Sequence, residues 1–428
     1  MEKEKQVSQV FENLLFPKIF QTFRMAIQPS KLIIGFLAVA IICLAGWIMD
    51  FSKTVVTRGE GETELQVYMY EPGQVEQFIE ANKEDKDKYA GVFSTLWDFA
   101  AARFHRAVGS LVVFDLRGVT ANIFEYFRAV KWALRYHLLY CIIFGLIKLA
   151  VISIAGGAIC RIAALQFAQG EKPGLGEALR FSRKKFLSFF SAPLAPVGII
   201  IFIGVFIYLL GLVGNIPRAG ELIIGIFILL ALFAGALIAI ILIGTVAGFN
   251  LMFPAVAYDG SDCFDAISRS FSYIYSKPWR MGFYTAVAAV YGAICYIFVR
   301  FLAFLLLFVP YVVLRIGVFN NNRLARVWAR PDFGNLHVWS TATSANWSES
   351  LAAFLIYLAV LVVVGLLASF LISFYFSANT VIYSLMRNRV DNTALEEIYT
   401  EADESQSVPA VTESESEKPQ PESETQDD

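Results

Sequence analysis

The chain alternates between long unbroken apolar blocks and shorter polar stretches, and that rhythm sets the first expectations. A helix rises 1.5 Å per residue, so crossing a hydrocarbon core of ~30 Å takes about 20 apolar residues. Five blocks meet this cleanly, Lys148 being the one charge among them: 32–49, 137–160, 194–213, 222–249 and 351–376. A sixth, 281–309, is apolar apart from Arg300 and stays so through Pro310 to Leu314, which predicts a tilt or a turn along the membrane surface at the proline. Lipid offers backbone N–H and C=O groups no water, so such blocks cross as helices whose hydrogen bonds close internally. The pattern predicts an all-α integral membrane protein with six transmembrane helices.

The polar stretches divide further. In residues 1–31, Phe16, Ile19, Phe20 and Phe23 fall at helical spacing beside Lys18 and Arg24, which predicts an interfacial approach helix turned inward at Pro29. The block 32–49 lacks a small-residue cleavage pattern and is expected to stay as an anchor. Residues 51–136 form a sizeable extramembrane, mostly helical region. A short strand is expected at Glu64–Tyr70, and amphipathic helices over 89–107 and 120–136. Residues 310–350 make an outer loop. The tail 401–428 is almost without apolar residues, cannot repay its ordering entropy and is expected to be disordered.

Composition sharpens this picture. Hydrophobic residues make up 57% and charged ones 17% of the chain, against roughly 45–50% and 25% in soluble domains. The net charge of −2 hides an asymmetry: the tail alone carries −9, leaving +7 on residues 1–400. A basic membrane body with an acidic tail points to anionic lipid and, with no nucleic-acid motif beside it, away from nucleic acid. With the N-terminus inside, segments assigned to the cytoplasm hold 16 basic residues and short outer ones five, so both termini are expected in the cytoplasm. Arg315, Arg323, Arg326 and Arg330 dissent from that assignment.

A shift of 88 residues superposes 137–213 on 225–301, predicting a tandem span–interfacial helix–span repeat: unit 1 at 137–213 and unit 2 at 222–309. Glu177-Ala178-Leu179 falls on Asp265-Ala266-Ile267 and Ser182 on Ser270. Gly174 and Asp262 take the N-cap of the two interfacial helices, with an acid three residues on. The doubled pattern E/D-A-[LI]-x-x-S between spans resembles that of bacterial multi-pass membrane proteins similar to the membrane domain attached to some glycerophosphodiester phosphodiesterases. Phe20-x-x-Phe23-Arg24 and the stretch Ser377–Tyr383 resemble relatives that lack the enzyme. The resemblance implies an architecture and a bacterial cytoplasmic (inner) membrane, without an activity; the phosphodiesterase domain is absent.

Candidate chemistry is sparse. The histidines His105, His137 and His337 and the five cysteines show no metal-ligand or disulfide spacing, and no nucleotide or nucleophile motif occurs, so neither catalysis nor a cofactor is expected. Ionisable residues inside spans are the best functional hints, because a charge in hydrocarbon costs at least ~2.5–3.5 kcal/mol. Two qualify as ligand or lipid contacts: Lys148, near a span's midpoint, and Arg300, close enough to an end to snorkel. Arg180, Arg183, Lys184 and Lys185, interleaved with phenylalanines, form a candidate anionic-lipid surface. These features support a non-enzymatic membrane scaffold or accessory protein that contacts lipid, and a protein partner through 51–136 or the tail. The alternative is a transporter or lipid-handling permease with a cleft between the two repeats and Lys148 on its wall.

Overall fold

The computed structural model describes residues 15–58, 62–82, 89–318, 321–334, 336 and 346–399. A 3-10 turn, Phe16–Gln21, runs into a short helix α1, Thr22–Ala26. Pro29 then opens α2, Pro29–Asp50, at the helix position where its missing N–H is not needed. Next come β1 (Val55–Arg58), β2 (Glu62–Thr63), α3 (Glu64–Tyr70), α4 (Val75–Asn82), β3 (Tyr89–Ala90), α5 (Val92–Val112) and α6 (Leu116–Tyr136). The remainder is α7 (Leu138–Ala168), α8 (Leu175–Lys184), α9 (Phe186–Ser191), α10 (Leu194–Val213), α11 (Ala219–Asp259), α12 (Cys263–Ser276), α13 (Pro278–Gly317), α14 (Asn321–Val327) and α15 (Trp347–Val390). Among the described residues six helices are long and apolar enough to cross a membrane, namely α2, α7, α10, α11, α13 and α15. Each apolar block of the sequence is one of them.

Three of these helices overshoot the block that predicted them. α11, α13 and α15 have 41, 40 and 44 residues, roughly twice the ~20 that a bilayer needs. In α11 and α15 the two halves differ in what surrounds them, whereas burial on α13 runs along its length. On α11 the outward apolar residues run from Leu222 to Phe249, whereas Leu251–Tyr258 are buried. On α15 Leu351, Phe354, Leu358 and Leu366 face out, and burial begins in earnest at Leu367. Contiguous exposed apolar faces of this size belong against lipid. The packed halves gather at one end, hereafter the lower end, where Lys277 Nζ donates to Arg389 O and joins the start of α13 to the end of α15. Residues 16–26, α8, α9 and α12 close round it.

Small residues bring the backbones together there. Ser369, Ser373 and Ser377 recur every fourth residue on α15. Ser369 Oγ donates to Leu32 O (2.5 Å) and Ser373 Oγ to Ala26 O (2.7 Å). This is the close approach that small side chains permit between membrane helices. The hydroxyls of Ser369 and Ser373 occupy carbonyls, and that of Ser377 accepts from Lys31 Nζ (3.4 Å).

Several expectations need correction. Glu64–Tyr70 is helix α3 and not a strand, because Thr63 and Gln66 form a capping box, with Gln66 N donating to Thr63 Oγ1 (3.3 Å) and Thr63 N to Gln66 Oε1 (3.1 Å). The strands lie on either side, in a small antiparallel sheet ordered β2-β1-β3. Pro310 does not end its helix; α13 continues to Gly317, so the segment 310–350 is loop only in part. A proline removes one intrahelical bond, which a long helix packed on its neighbours tolerates. The helices α8 and α12 begin as expected, with Gly174 and Asp262 at their N-caps and Asp265 N donating to Asp262 Oδ1 (2.8 Å). The tail 401–428 lies outside the described residues.

Residues 51–136 divide in two. Val55, Leu65, Tyr68, Val75, Val92 and Trp132 form a small core at the upper end. α5 leaves that core and descends along the spans. Its N-terminus is held by Asp50, whose carboxylate accepts from Phe93 N (2.8 Å), Ser94 N (2.8 Å) and Ser94 Oγ (2.7 Å). Lower down, Val108 packs with Ala293, Tyr296 and Leu367 of α13 and α15. α6 returns antiparallel, tied to α5 by the Arg103–Glu125 ion pair.

Candidate functional site

The descent of α5 creates a cleft. Two apolar hollows lie between α5, α13 and α15, with volumes of about 300 and 320 Å³. Each is near the lower bound for a small-molecule site, and they adjoin: Phe104, Tyr296 and Leu371 line both. The upper hollow is walled by Trp97, Ala101 and Ala368, the lower one by Val108, Ala289, Gly292 and Phe374. Together they follow α15 from Val364 to Ile382, about 27 Å at 1.5 Å per residue. Gly292 is required for this shape, since a Cβ there would meet the Phe374 ring at 2.6 Å. The partition is an aromatic pair, Phe104 and Tyr296, edge to face at 5.3 Å.

Polar groups are few and sit at the ends. In the lower hollow Tyr375 Oη donates to Asn250 Oδ1 (2.5 Å) and Asn379 Nδ2 to Tyr375 O (2.9 Å), a neutral set bonded to itself. In the upper hollow His105 Nε2 and Tyr296 Oη are 2.9 Å apart, and beside them stands Arg300, 7% exposed. Arg300 Nη2 donates to Phe333 O (2.6 Å) and Gly334 O (2.8 Å), and its guanidinium lies 5.1 Å from the Phe333 ring centroid. Among the described residues no carboxylate is within ion-pair distance of it. Arg300 therefore does not reach freely outward: the loop beyond α14 folds back over it.

The other residues singled out in the sequence lie elsewhere. Lys148 is exposed on α7 between half-buried Ile147 and Leu149, bonds to no described residue and lines neither hollow. Arg180, Arg183 and Lys184 are exposed on α8. Lys185 is half-buried and donates to Gly260 O (2.6 Å), covering the C-terminal carbonyls of α11. Of the dissenting arginines, Arg326 is held by Glu349 through paired bonds of 2.9 and 3.2 Å. His105 and His137 occupy different clusters, and His337 lies outside the described residues.

Three buried polar sites were missed by sequence reasoning. Lys31 is fully buried, donating to Gln166 Oε1 (3.0 Å) and Ser377 Oγ (3.4 Å). It stood at a block's edge and counted only as a cytoplasmic charge; partners 135 and 346 residues away left no local signal. Lys31→Met removes a desolvated amine but leaves Gln166 Oε1 without its donor, two opposed terms of ~1–3 kcal/mol. A near-zero net effect on unfolding in detergent is expected. A loss of thermal stability as large as that of the Asp259 variant below would refute this.

The second site is at the lower end. Asp259 closes α11 and faces Arg387 Nε (3.1 Å, to Oδ1), Arg269 Nη1 (3.4 Å, to Oδ2) and the Tyr383 hydroxyl. Tyr258 Oη donates to Leu395 O (2.6 Å) and Arg387 Nη1 to Glu397 O (2.7 Å), which folds the chain after α15 back on the cluster. Burial, and then the Asp391 carboxylate, push the Tyr273 hydroxyl well above the ordinary phenol range, so it stays protonated and donates to Asp391 Oδ2 (2.5 Å). Each charge here has a partner, the pattern of a clasp.

The third is Glu64, which accepts from Trp132 Nε1 (3.0 Å) and Val56 N (3.4 Å). His137 lies between it and Thr54, at 3.7 and 3.4 Å. The order hydroxyl–imidazole–carboxylate superficially matches a nucleophile relay. The His137–Glu64 separation exceeds a hydrogen bond, however, and Glu64 already serves two N–H groups, so the trio pins α3 to α6.

The chain matches no protein-family model, no curated protein and no solved structure.

Proposed function

We propose that this is a non-enzymatic lipid-handling protein of a bacterial cytoplasmic membrane, which takes the acyl chain of a bilayer lipid into the cleft between α5, α13 and α15. The observation that carries this is the pair of adjoining apolar hollows. Their combined run of about 27 Å exceeds the ~15 Å that one leaflet contributes to a hydrocarbon core of ~30 Å, which is room for a single acyl chain. A soluble metabolite would need polar groups distributed along such a trough; a hydrocarbon chain needs none. The reading differs from a cleft between two repeats, because α5 and α15 supply walls that belong to neither unit. The lower end then faces the cytoplasm, consistent with the basic excess of the segments gathered there. The succession α7, α8–α9, α10 followed by α11, α12, α13 accords with a duplicated unit.

A second reading, a scaffold on anionic lipid, draws on the exposed Arg180, Arg183 and Lys184 and on outward-facing Lys148. The two readings separate by measurement. Lipid retained through detergent purification is quantified by mass spectrometry for the wild type, Ala101→Trp (upper hollow) and Ala289→Trp (lower hollow). The cleft reading expects retained lipid to fall by more than half in both tryptophan variants and to stay unchanged in Lys148→Ala. Folded tryptophan variants with wild-type lipid content would exclude the cleft as a lipid site.

A further inference from the structure

We infer that the lipid taken by this cleft is anionic, with its charged head in the upper hollow against Arg300 and its chain passing Phe104 and Tyr296 into the lower one. The inference rests on the cleft being a lipid site and adds which lipid, and which way round. A guanidinium does not lose its proton inside a protein, so Arg300 carries its charge at 7% exposure. Two backbone carbonyls take Nη2, yet they offer dipoles and no net charge. Among the described residues no carboxylate supplies the missing negative charge. Asp332, the nearest acid along the loop, is exposed and accepts from Gly334 N (3.0 Å). An uncompensated buried cation is costly, and a phosphate or carboxylate head in the adjoining hollow removes that cost.

The orientation follows from the contrast between the two ends. The lower hollow offers neutral groups that already bond to one another through Tyr375, Asn250 and Asn379. Only the upper one has a cation, and beside it the Tyr296 hydroxyl and the His105 ring bond to each other. Between the ends, the residues common to both hollows, Phe104, Tyr296 and Leu371, are uncharged.

The test uses the full chain, stripped of lipid and presented with mixed micelles of dioleoyl phosphatidylglycerol or dioleoyl phosphatidylcholine, binding being read by native mass spectrometry. The wild type is expected to retain phosphatidylglycerol at least tenfold over phosphatidylcholine. Arg300→Gln should bring the two to the same level, while Arg300→Lys keeps a preference. Should Arg300→Gln fail to fold for want of its loop contacts, Ala101→Trp, which fills the head's hollow and leaves Arg300 in place, should abolish the preference instead. Glycerol 3-phosphate at the lipid's concentration should displace nothing; if it displaces phosphatidylglycerol, the chain contributes no binding and the inference is wrong. Equal retention of both lipids by the wild type, lost in Ala289→Trp, overturns the anionic head and leaves the cleft reading standing. Retention of neither lipid overturns both.

Discussion

Asp259→Ala is expected to lower the free energy of unfolding in detergent by about 3–5 kcal/mol, because it takes the nearer counter-ion from the buried Arg387 guanidinium and leaves it only the more exposed Glu397 at 3.5 Å. Arg387 dominates the effect: its side chain is 10% exposed and its Nε faces Asp259 Oδ1 at 3.1 Å. Arg269 is 37% exposed and recovers part of its loss from water and from Asp265 at 2.9 Å. The Tyr383 hydroxyl loses its acceptor in the same substitution. Asp259→Asn keeps an acceptor for Tyr383 but not the charge, and should fall between wild type and alanine. Equilibrium unfolding in mixed micelles of increasing sodium dodecyl sulfate fraction, followed by circular dichroism, measures the difference. An alanine variant within ~1 kcal/mol of wild type would mean that the clasp is solvated enough to need no pairing.

Gly35→Leu should be destabilising by ~1–3 kcal/mol or more, since overpacking cannot relax when the obstacle is backbone. A Cβ at Gly35 would stand 2.8 Å from Ser369 Oγ, 3.0 Å from Ser369 O and 3.3 Å from Ser369 Cα. The hydroxyl could rotate away; the carbonyl and Cα could not, so α2 and α15 would separate. That separation would break the bond from Ser369 to Leu32 O and strain the one from Ser373 to Ala26 O. Gly145→Leu is the control, because nothing lies within 4 Å of a Cβ placed there. The same micelle titration applies to both. Equal losses in the two variants would show that leucine in a helix, and not the close approach to α15, is what matters.

Much of the fold could be read from residue order, for a physical reason that differs between elements. A spanning helix satisfies its hydrogen bonds within itself, so its existence depends only on its own residues being long and apolar enough. The blocks 194–213 and 32–49 accordingly match α10 and α2 closely. Cap positions are equally local, which is why Gly174 and Asp262 were correctly placed. The Glu64–Tyr70 strand was misread because β-favouring valine and tyrosine outweighed a capping box that involves only four residues. The lower ends of α11 and α15 were cut short for another reason. Polar residues such as Ser377, Asn379 and Asn250 read as the close of a span, yet they continue the helix inside a packed protein core.

The candidate site was legible only in part. Arg300 drew attention because a charge among apolar residues is conspicuous, but its confinement comes from Phe333 and Gly334, 33 and 34 residues on. Lys148 was equally conspicuous and faces away from the cleft, since helical phase within a uniformly apolar block carries no signal about which side meets lipid. The cleft itself had no signature: its walls are mainly alanine, leucine, phenylalanine and other residues common in any span, and its few polar groups come from helices far apart in the chain.

Local hydropathy and capping were enough to establish how many helices are long and apolar enough to cross a membrane and roughly where they begin, because those properties are settled within a helix. Where α5 goes, which arginine the loop beyond α14 covers, and which lysine and aspartate are buried were decided by packing between segments far apart in the chain. Such contacts depend on shape and distance in three dimensions, and a linear pattern of apolar and polar residues does not contain them.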